Sequence, residues 1–172
     1  VKHLAINTNL NKKENIMNKF LLFISLSFVA LSANTLKVNS SISLLDNYSY
    51  ETPHARPMKV PHETKLVLIA FEKDTGATVN DFLSTKNKYY LQKNKTIFIA
   101  DIHRMPSMVT KMFALPKMKK YKHLIYLHYG EKFENAIPSK DDKITVLRVV
   151  NRKITSISYI SSAKELQATI EK

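Results

Sequence analysis

Cysteine, tryptophan and glycine are the residues that this 172-residue chain lacks or nearly lacks. The absence of cysteine excludes thiol catalysis, cysteine-ligated zinc, iron–sulfur clusters and disulfides, because each of them needs a cysteine sulfur. The two glycines, Gly76 and Gly130, cannot supply the G-x-G-x-x-G turn of dinucleotide-binding proteins or a Walker-type phosphate loop. Any redox activity would therefore depend on a bound cofactor, and a flavin held in another way stays open.

The rest of the composition is that of a globular protein with excess positive charge. Hydrophobic residues make up 44% of the chain and charged residues 24%, which predicts one domain with a true core rather than a disordered chain. Lys and Arg number 27 against 14 Asp and Glu, a formal net charge of +13. Such a charge favours acidic partners or anionic surfaces.

Residues 17–33 have the three parts of a signal peptide. A short basic region at Met17 to Lys19 precedes an apolar run from Phe20 to Leu31, and small residues surround Ala33. The run is shorter than the ~20 residues that cross a bilayer, so we expect no stable transmembrane anchor. Cleavage near Ala33 predicts a periplasmic or secreted protein. A buried N-terminal helix and an uncleaved anchor are the alternatives, and residues 1–16 are expected to be an upstream extension from a mistaken start site.

Residues 34–64 form a predicted N-terminal arm, and residues 65–172 the predicted domain. Prolines at 53, 57 and 61 favour an extended arm over a helix, with a short strand expected at Ser41 to Leu45. The domain begins with an apolar run from Lys65 to Phe71 that is typical of a strand buried on both faces. A turn at Asp74 to Gly76 and a helix from Ala77 to Ser84 are expected next.

A second buried strand, Thr96 to Ile102, follows that helix. Strand, helix and strand in this order predict a parallel pair joined by a right-handed crossover. Apolar residues then recur at i, i+3, i+4, i+7 and i+8, the spacing of an amphipathic helix: Met105, Met108, Val109, Met112 and Phe113. Pro106 suits the first turn of this helix, and Pro116 is expected to kink or end it.

The last third of the domain changes from helical to strand patterns. We expect a strand from His123 to Tyr129, then a polar loop from Gly130 to Asp142. Two β-rich segments separated by Asn151-Arg152 predict an antiparallel hairpin, Lys143 to Val150 and Lys153 to Ile160. Ser162 to Glu165 forms a capping box that predicts a final helix burying Leu166 and Ile170.

This order of elements resembles the thioredoxin-like superfamily, with an arm similar to those of peroxiredoxin-like and periplasmic thiol-reductase-like members. The resemblance implies an α/β, three-layer fold with a mixed central sheet and flanking helices. Its cis-proline would correspond to Pro138, or less well to Pro116. Where the superfamily places its catalytic cysteines, this chain has the segment from Phe71 to Thr78, so no catalytic residue can be carried over.

Two clusters of polar residues are candidate sites. Four residues occupy the superfamily's active-site corner, where the backbone N–H groups of a helix N-terminus can hold an anion: Asp74, Thr75, Gly76 and Thr78. The simpler interpretation is that Asp74 or Thr75 caps the helix. Asp101 and His103 lie two residues apart at a strand end, so their side chains point the same way and are metal-ligand candidates with His128 or Glu131. The simpler interpretation of His103 is a hydrogen bond to Asp101 or a position facing solvent.

The segment from Ile102 to Gly130 contains no acidic residue and carries a basic cluster. Four lysines form a candidate patch for anionic headgroups, glycans or an acidic partner: Lys117, Lys119, Lys120 and Lys122. A solvated basic face is the simpler interpretation. Four methionines offer thioether ligands for a soft metal, although core packing is favoured for them: Met105, Met108, Met112 and Met118.

The sequence as a whole predicts an exported, cysteine-free thioredoxin-fold protein that binds and has no chemistry of its own. The expected partner is another periplasmic protein, with an anionic envelope surface as an alternative and nucleic acid excluded, because no recognised binding module is present. No cofactor is expected. A carrier or enzyme with a bound metal or flavin remains open, and Asp101 and His103 are the first residues to test for it.

Overall fold

The computed structural model describes residues 35–172. The predicted upstream extension, signal peptide and cleavage point therefore lie outside the described residues. No helix among residues 35–172 has both the length and the apolar character needed to cross a membrane.

The centre of the fold is a pair of parallel strands. β3, Leu66–Ala70, and β4, Thr96–Asp101, are buried at every position, as the uninterrupted apolar runs predict. They pair in parallel from Leu66 opposite Thr96 to Ala70 opposite Ala100. The two predicted strands and their parallel pairing are thereby confirmed.

The connection between these strands contains two helices. α1, Lys73–Ser84, buries Val79 and Leu83, and α2, Tyr90–Lys93, buries Leu91. α1 begins four residues earlier than expected, because Glu72 is its N-cap and Thr75 closes the first turn: the Thr75 hydroxyl accepts from the Glu72 N–H at 3.3 Å and donates to its carbonyl at 3.0 Å. The predicted turn at Asp74 to Gly76, and Asp74 or Thr75 as N-cap, are therefore wrong.

A helix of mixed type follows β4. α3 runs from Ser107–Val109 through a π-helical turn, Thr110–Ala114, to Leu115–Met118. The Leu115 N–H donates to the carbonyl of Thr110, five residues earlier. Pro116 has no N–H to give, and the π turn directly before it lets the helix continue to Met118 instead of ending.

The third parallel strand is shorter than predicted. β5, Tyr126–His128, pairs with β4, placing Asp101 opposite His128. The segment expected to be a polar loop contains a further helix, α4, Lys132–Ala136, whose Phe133 is completely buried. The sequence pattern hid this helix, since Phe133 and Ile137 are the only large apolar residues in a polar stretch.

The closing hairpin and helix agree with the prediction. β6, Ile144–Val150, and β7, Lys153–Ile160, pair antiparallel around Asn151 and Arg152, both of which have positive φ, as a type I′ turn requires. α5, Ala163–Ile170, is capped by Ser162 and Glu165, which form the predicted capping box.

The N-terminal arm extends the sheet at its edge. β1, Tyr50–Glu51, pairs antiparallel with β2, Pro57–Met58, and with β5, so the seven strands have the order β2-β1-β5-β4-β3-β6-β7. The strand expected at Ser41 to Leu45 is wrong: Ile42–Asn47 is a 3-10 helix, because the Ser41 hydroxyl accepts from the Ser43 N–H and caps it.

Apolar residues cover both faces of the sheet, giving three layers. One face packs against α1 and α5 through residues such as Phe82 and Leu166. The other packs against the arm and α4 through Leu36, Ile42 and Phe133. No cis peptide bond occurs in residues 35–172, so neither Pro138 nor Pro116 is a cis-proline.

Candidate functional site

The parallel strands β3, β4 and β5 end at the same edge of the sheet, which we call the carboxyl edge. Open α/β sheets bind ligands at this edge, because the loops that follow the strands meet there. Glu72 follows β3, Asp101 ends β4 with His103 two residues beyond it, and His128 ends β5. The described chain thus places its predicted metal-ligand residues where the fold favours a site.

Asp101 and His103 are in contact, as their two-residue spacing predicts. Asp101 Oδ1 accepts the backbone N–H of His103 at 3.1 Å and lies 3.0 Å from His103 Nδ1. The other ring nitrogen, Nε2, lies 3.3 Å from Glu134 Oε2 on α4, and Glu134 also pairs with Arg104. The imidazole of His103 therefore lies between two carboxylates.

One oxygen of this cluster has no partner. The Asp101 side chain is completely buried, and its Oδ2 accepts no hydrogen bond from any residue among 35–172. A buried carboxylate oxygen without a donor is costly, so it marks a place where a donor from outside the chain would be favourable. Within the same residues, no group of three or more His, Asp and Glu side chains is arranged to hold a metal ion.

Both ring nitrogens of His128 lie against backbone carbonyl oxygens. Its Nδ1 lies 2.9 Å from the Ser49 carbonyl oxygen and its Nε2 lies 3.0 Å from that of Gly130. A Cβ at Gly130 would lie 2.9 Å from His128 Nε2, so only glycine allows this close approach. His128 therefore links the arm to the loop after β5. The prediction that His128 or Glu131 joins Asp101 and His103 is wrong, because the third residue in contact with His103 is Glu134.

An open cleft of about 620 Å³ lies beside His128. Its lining comes from the arm and from the loop after β5: Asn47, Tyr48, Ser49, His128, Tyr129, Gly130, Glu131 and Lys132. The neighbouring Tyr50 is buried, which raises the pKa of its phenol, and the nearby Asp101 contributes in the same direction. The phenol thus stays protonated and donates to the Leu45 carbonyl at 3.0 Å.

The predicted anion corner lies inside α1. The hydroxyl of Thr78 donates to the Asp74 carbonyl at 3.0 Å, and the amide of Asn80 donates to the Gly76 carbonyl at 2.8 Å. Thr75 is engaged with the Glu72 backbone. The polar side chains of this corner thus form hydrogen bonds with the backbone of the first turns of α1. Anion binding there stays a prediction.

The most unexpected feature of the domain is the outer face of α3. Four apolar side chains that were expected in the core are exposed: Met108 (70%), Val109 (42%), Met112 (61%) and Phe113 (67%). We call these four residues the apolar face. The prediction that all four methionines pack in the core is wrong for Met108 and Met112, while Met105 and Met118 do pack against it.

The inner side of α3 is formed by other residues. Leu115 and Met118 pack against the core, as does Met105, which lies just before the helix. Thr110 is buried, and its hydroxyl lies 3.3 Å from the Met105 carbonyl and 3.2 Å from that of Pro106. The π turn places the buried Thr110 and the core-packed Leu115 five residues apart on the inner side of α3, while Met112 and Phe113 between them are exposed.

Lysines accompany the apolar face along the chain. All five lysines of this segment are exposed, and none forms an ion pair with a residue in 35–172: Lys111, Lys117, Lys119, Lys120 and Lys122. We call them the lysine cluster. Arg104, the remaining cation of the acid-free stretch, is already paired with Glu134.

Sequence reasoning therefore found some of these features and missed others. It placed Asp101 beside His103 and identified the basic segment, but it missed Glu134 and the exposure of the apolar face. The position of Glu134 depends on α4, and only Phe133 and Ile137 signal that helix in the sequence. The only hint of the π turn was Pro116, which lacks a backbone donor.

A scan of protein-family models and a search of curated proteins find no match to this sequence. Among solved structures, an uncharacterised thioredoxin-like protein from Porphyromonas gingivalis is similar at TM-score 0.50 and 14% identity, over 77% of this chain and 92% of that one. A proposed protein disulfide isomerase from Bacteroides thetaiotaomicron is similar at TM-score 0.50 and 12% identity, over 80% and 86%. Together with the seven-stranded mixed sheet and its flanking helices, these likenesses identify a thioredoxin-like fold in a chain that has no cysteine.

Proposed function

We propose that this chain is an exported, redox-inactive thioredoxin-fold module that acts in the periplasm by binding through α3. The absence of cysteine removes the chemistry that thiol–disulfide proteins perform at the end of their first central strand. In this chain the corresponding segment, around Glu72 and Thr75, caps α1 instead. A role in binding needs no reactive group there.

The apolar face is the observation that carries the proposal. Single exposed apolar residues are ordinary, whereas a contiguous apolar patch with a polar rim marks an interaction surface. The four residues occupy one side of one short helix and are 42% to 70% exposed. Their exposure costs hydration free energy that a bound partner would recover.

A photo-crosslinking amino acid tests this proposal without presupposing the partner. It is placed at Met112 in the chain expressed in its own host, and at Val150 in β6 as the matched control, where the exposure is 53% against 61% at Met112. We expect crosslinked products, to lipid or protein, from position 112 and not from position 150. Equal products from both positions, or none from 112, contradict a binding role for α3.

Export rests on the sequence of residues 17–33 and has its own test. The denatured mass of the protein isolated from the envelope fraction of its host fixes the N-terminus of the mature chain. We expect a start at Asn34 or an immediate neighbour. A chain recovered from the cytoplasm with residues 17–33 intact overturns the periplasmic assignment.

A second candidate function is that of a carrier whose bound metal, flavin or other ligand sits at the carboxyl edge. The buried, unpartnered Oδ2 of Asp101 favours it, because a bound donor there would remove an unsatisfied group. Native mass spectrometry of protein from its host is the test. A ligand mass that disappears in both Asp101→Ala and His103→Ala supports a carrier, and a bare native mass contradicts it.

A further inference from the structure

We infer that α3 is a membrane-docking element, whose apolar face inserts into the headgroup region of anionic lipid bilayers while the lysine cluster contacts the headgroups. This inference rests on the proposed function, because it names the partner of the same surface. Three features of the described residues lead to it: the shape of the face, the distribution of charge around it, and the way the helix is held.

The shape of the apolar face suits a soft, deformable partner. Met108, Met112 and Phe113 are each more than 60% exposed, so they project from the helix rather than line a groove. A protein partner would need a matching pocket for each of these side chains. A bilayer interface needs none, because an amphipathic helix lying in its plane buries the apolar side ~5–10 Å deep.

The charge around the face selects an anionic surface. From Ile102 to Gly130 the chain has no acidic residue, and the five members of the lysine cluster have no ion-pair partner among residues 35–172. Two copies of this face would repel each other, so self-association through it is disfavoured. Unpaired lysines on flexible stems match a surface of many equivalent phosphates better than one fixed array of carboxylates.

The way α3 is held leaves its outer face free to engage a surface. On its inner side Leu115 and Met118 pack against the core and Thr110 is buried, so insertion of the outer residues requires no unfolding. At 12 residues α3 is ~18 Å long, which is too short to span a bilayer. The docking that we infer is therefore interfacial and reversible.

Co-sedimentation with vesicles tests both parts of the inference. The protein as isolated from its host is mixed with vesicles of phosphatidylcholine alone, or with 30% phosphatidylglycerol in phosphatidylcholine (about one anionic lipid in three, as a stand-in for a bacterial surface). We expect binding only to the anionic vesicles, and weaker binding as salt rises and shortens the ~8 Å screening length.

Two variants separate insertion from attraction. Met112→Ser with Phe113→Ser removes apolar contacts and should weaken binding roughly tenfold or more. Lys117→Gln, Lys119→Gln, Lys120→Gln and Lys122→Gln together should weaken it by roughly fivefold for each lysine. The matched control changes four exposed lysines elsewhere and alters the net charge equally: Lys59, Lys93, Lys153 and Lys164, each to Gln.

The absence of cysteine also allows a direct measurement of whether α3 inserts into the bilayer. Phe113→Cys or Val150→Cys gives each chain one thiol for an environment-sensitive fluorophore. A blue shift on anionic vesicles is expected at position 113 and not at 150. An unchanged spectrum at 113, or an equal loss of binding in the control lysine variant, overturns the inference.

The crosslinking experiment distinguishes a failure of the membrane inference from a failure of the proposed function. If position 112 crosslinks to a protein while vesicles of both compositions fail to bind, α3 is a binding surface for a protein and the lipid inference is wrong. If position 112 crosslinks to nothing and vesicles also fail, both proposals are wrong. Circular dichroism and urea unfolding of every variant confirm that the fold is intact.

Discussion

The two amphipathic helices α3 and α5 have comparable sequence patterns, but their apolar residues are exposed in α3 and buried in α5. In α5 the apolar positions Leu166 and Ile170 are 0% and 6% exposed. In α3 the corresponding positions Met108, Met112 and Phe113 are 61% to 70% exposed. A helical period of apolar residues thus predicts that one face of a helix is apolar, but not that this face lies in the core.

The two helices differ in the side chains that they direct toward the core. α5 presents its apolar stripe, whereas α3 presents Thr110, Leu115 and Met118. Tertiary contacts outside the apolar face hold α3 in place. These are the packing of Leu115 and Met118, and the chain after the helix, where buried His123 meets Asn80 of α1 at 2.9 Å. The apolar face is not among these contacts.

The largest loss of stability is expected in α5, whose apolar residues are buried. Leu166→Ala removes a completely buried side chain from the core beneath α5 and should cost about 2–5 kcal/mol of unfolding free energy. Urea unfolding followed by circular dichroism measures it. The conservative Leu166→Met keeps the volume and should cost less than about 1.5 kcal/mol. A loss below 1 kcal/mol for Leu166→Ala would remove the contrast between the helices.

Acid should weaken the anchor that follows α3. Burial lowers the pKa of His123 to about 4 from its ordinary value of 6.5, so the unfolded chain binds the proton more readily than the folded one. The stability that neutral His123 contributes is present above pH 6.5 and is lost as the pH falls from 6.5 toward 4. Between pH 7 and pH 5 we expect a loss of about 2 kcal/mol.

His123→Gln is the variant that isolates this effect, because it should remove the slope between pH 7 and pH 5 whatever it does to stability at pH 7. Glu165 and Glu171 do not confuse the measurement. Hydrogen bonds lower the pKa of both carboxyls from the ordinary 4.5, so they lose their contribution only below that pH. A slope that persists in His123→Gln would assign the acid sensitivity to another group.

The same two helices show how far the sequence could predict this molecule. Elements that are encoded by neighbouring residues in the sequence were predictable. The strand Leu66–Ala70 follows from its continuous apolar run, and α5 follows from the Ser162 and Glu165 cap. α4 was not, because Phe133 and Ile137 are the only large apolar residues of its segment, and one such pair does not define a helical period. The π turn was not either, since a backbone shift of one residue in hydrogen bonding leaves composition and spacing unchanged.

The candidate site divides in the same way. Asp101 and His103 were predictable as neighbours, because a two-residue spacing on a strand fixes the side of the sheet. Their third partner, Glu134, is 31 residues beyond His103 and reaches it only through the fold. The unpartnered Oδ2 of Asp101 depends on every atom that surrounds it, and no local pattern encodes that.

A moderate effect is expected at the inner side of α3. Thr110→Val keeps the shape of the side chain but removes the hydroxyl that lies near the Met105 and Pro106 carbonyls, so it should cost about 1 kcal/mol. Thr110→Ser retains the hydroxyl and should lose less. Urea midpoints of the two variants decide this, and equal midpoints would mean that the hydroxyl does not hold the helix.

The smallest effect is expected on the apolar face itself, and it is the sharpest test of the comparison. Met112→Ser and Phe113→Ser change side chains that are 61% and 67% exposed, so each should alter the unfolding free energy by no more than about 0.5 kcal/mol. Urea unfolding of each variant beside Leu166→Ala measures the contrast directly. A loss above 1.5 kcal/mol at either position would mean that the face supports the fold, and its exposure would then no longer argue for a bound partner. A near-zero change in stability together with lost vesicle binding would separate folding from function on a single helix.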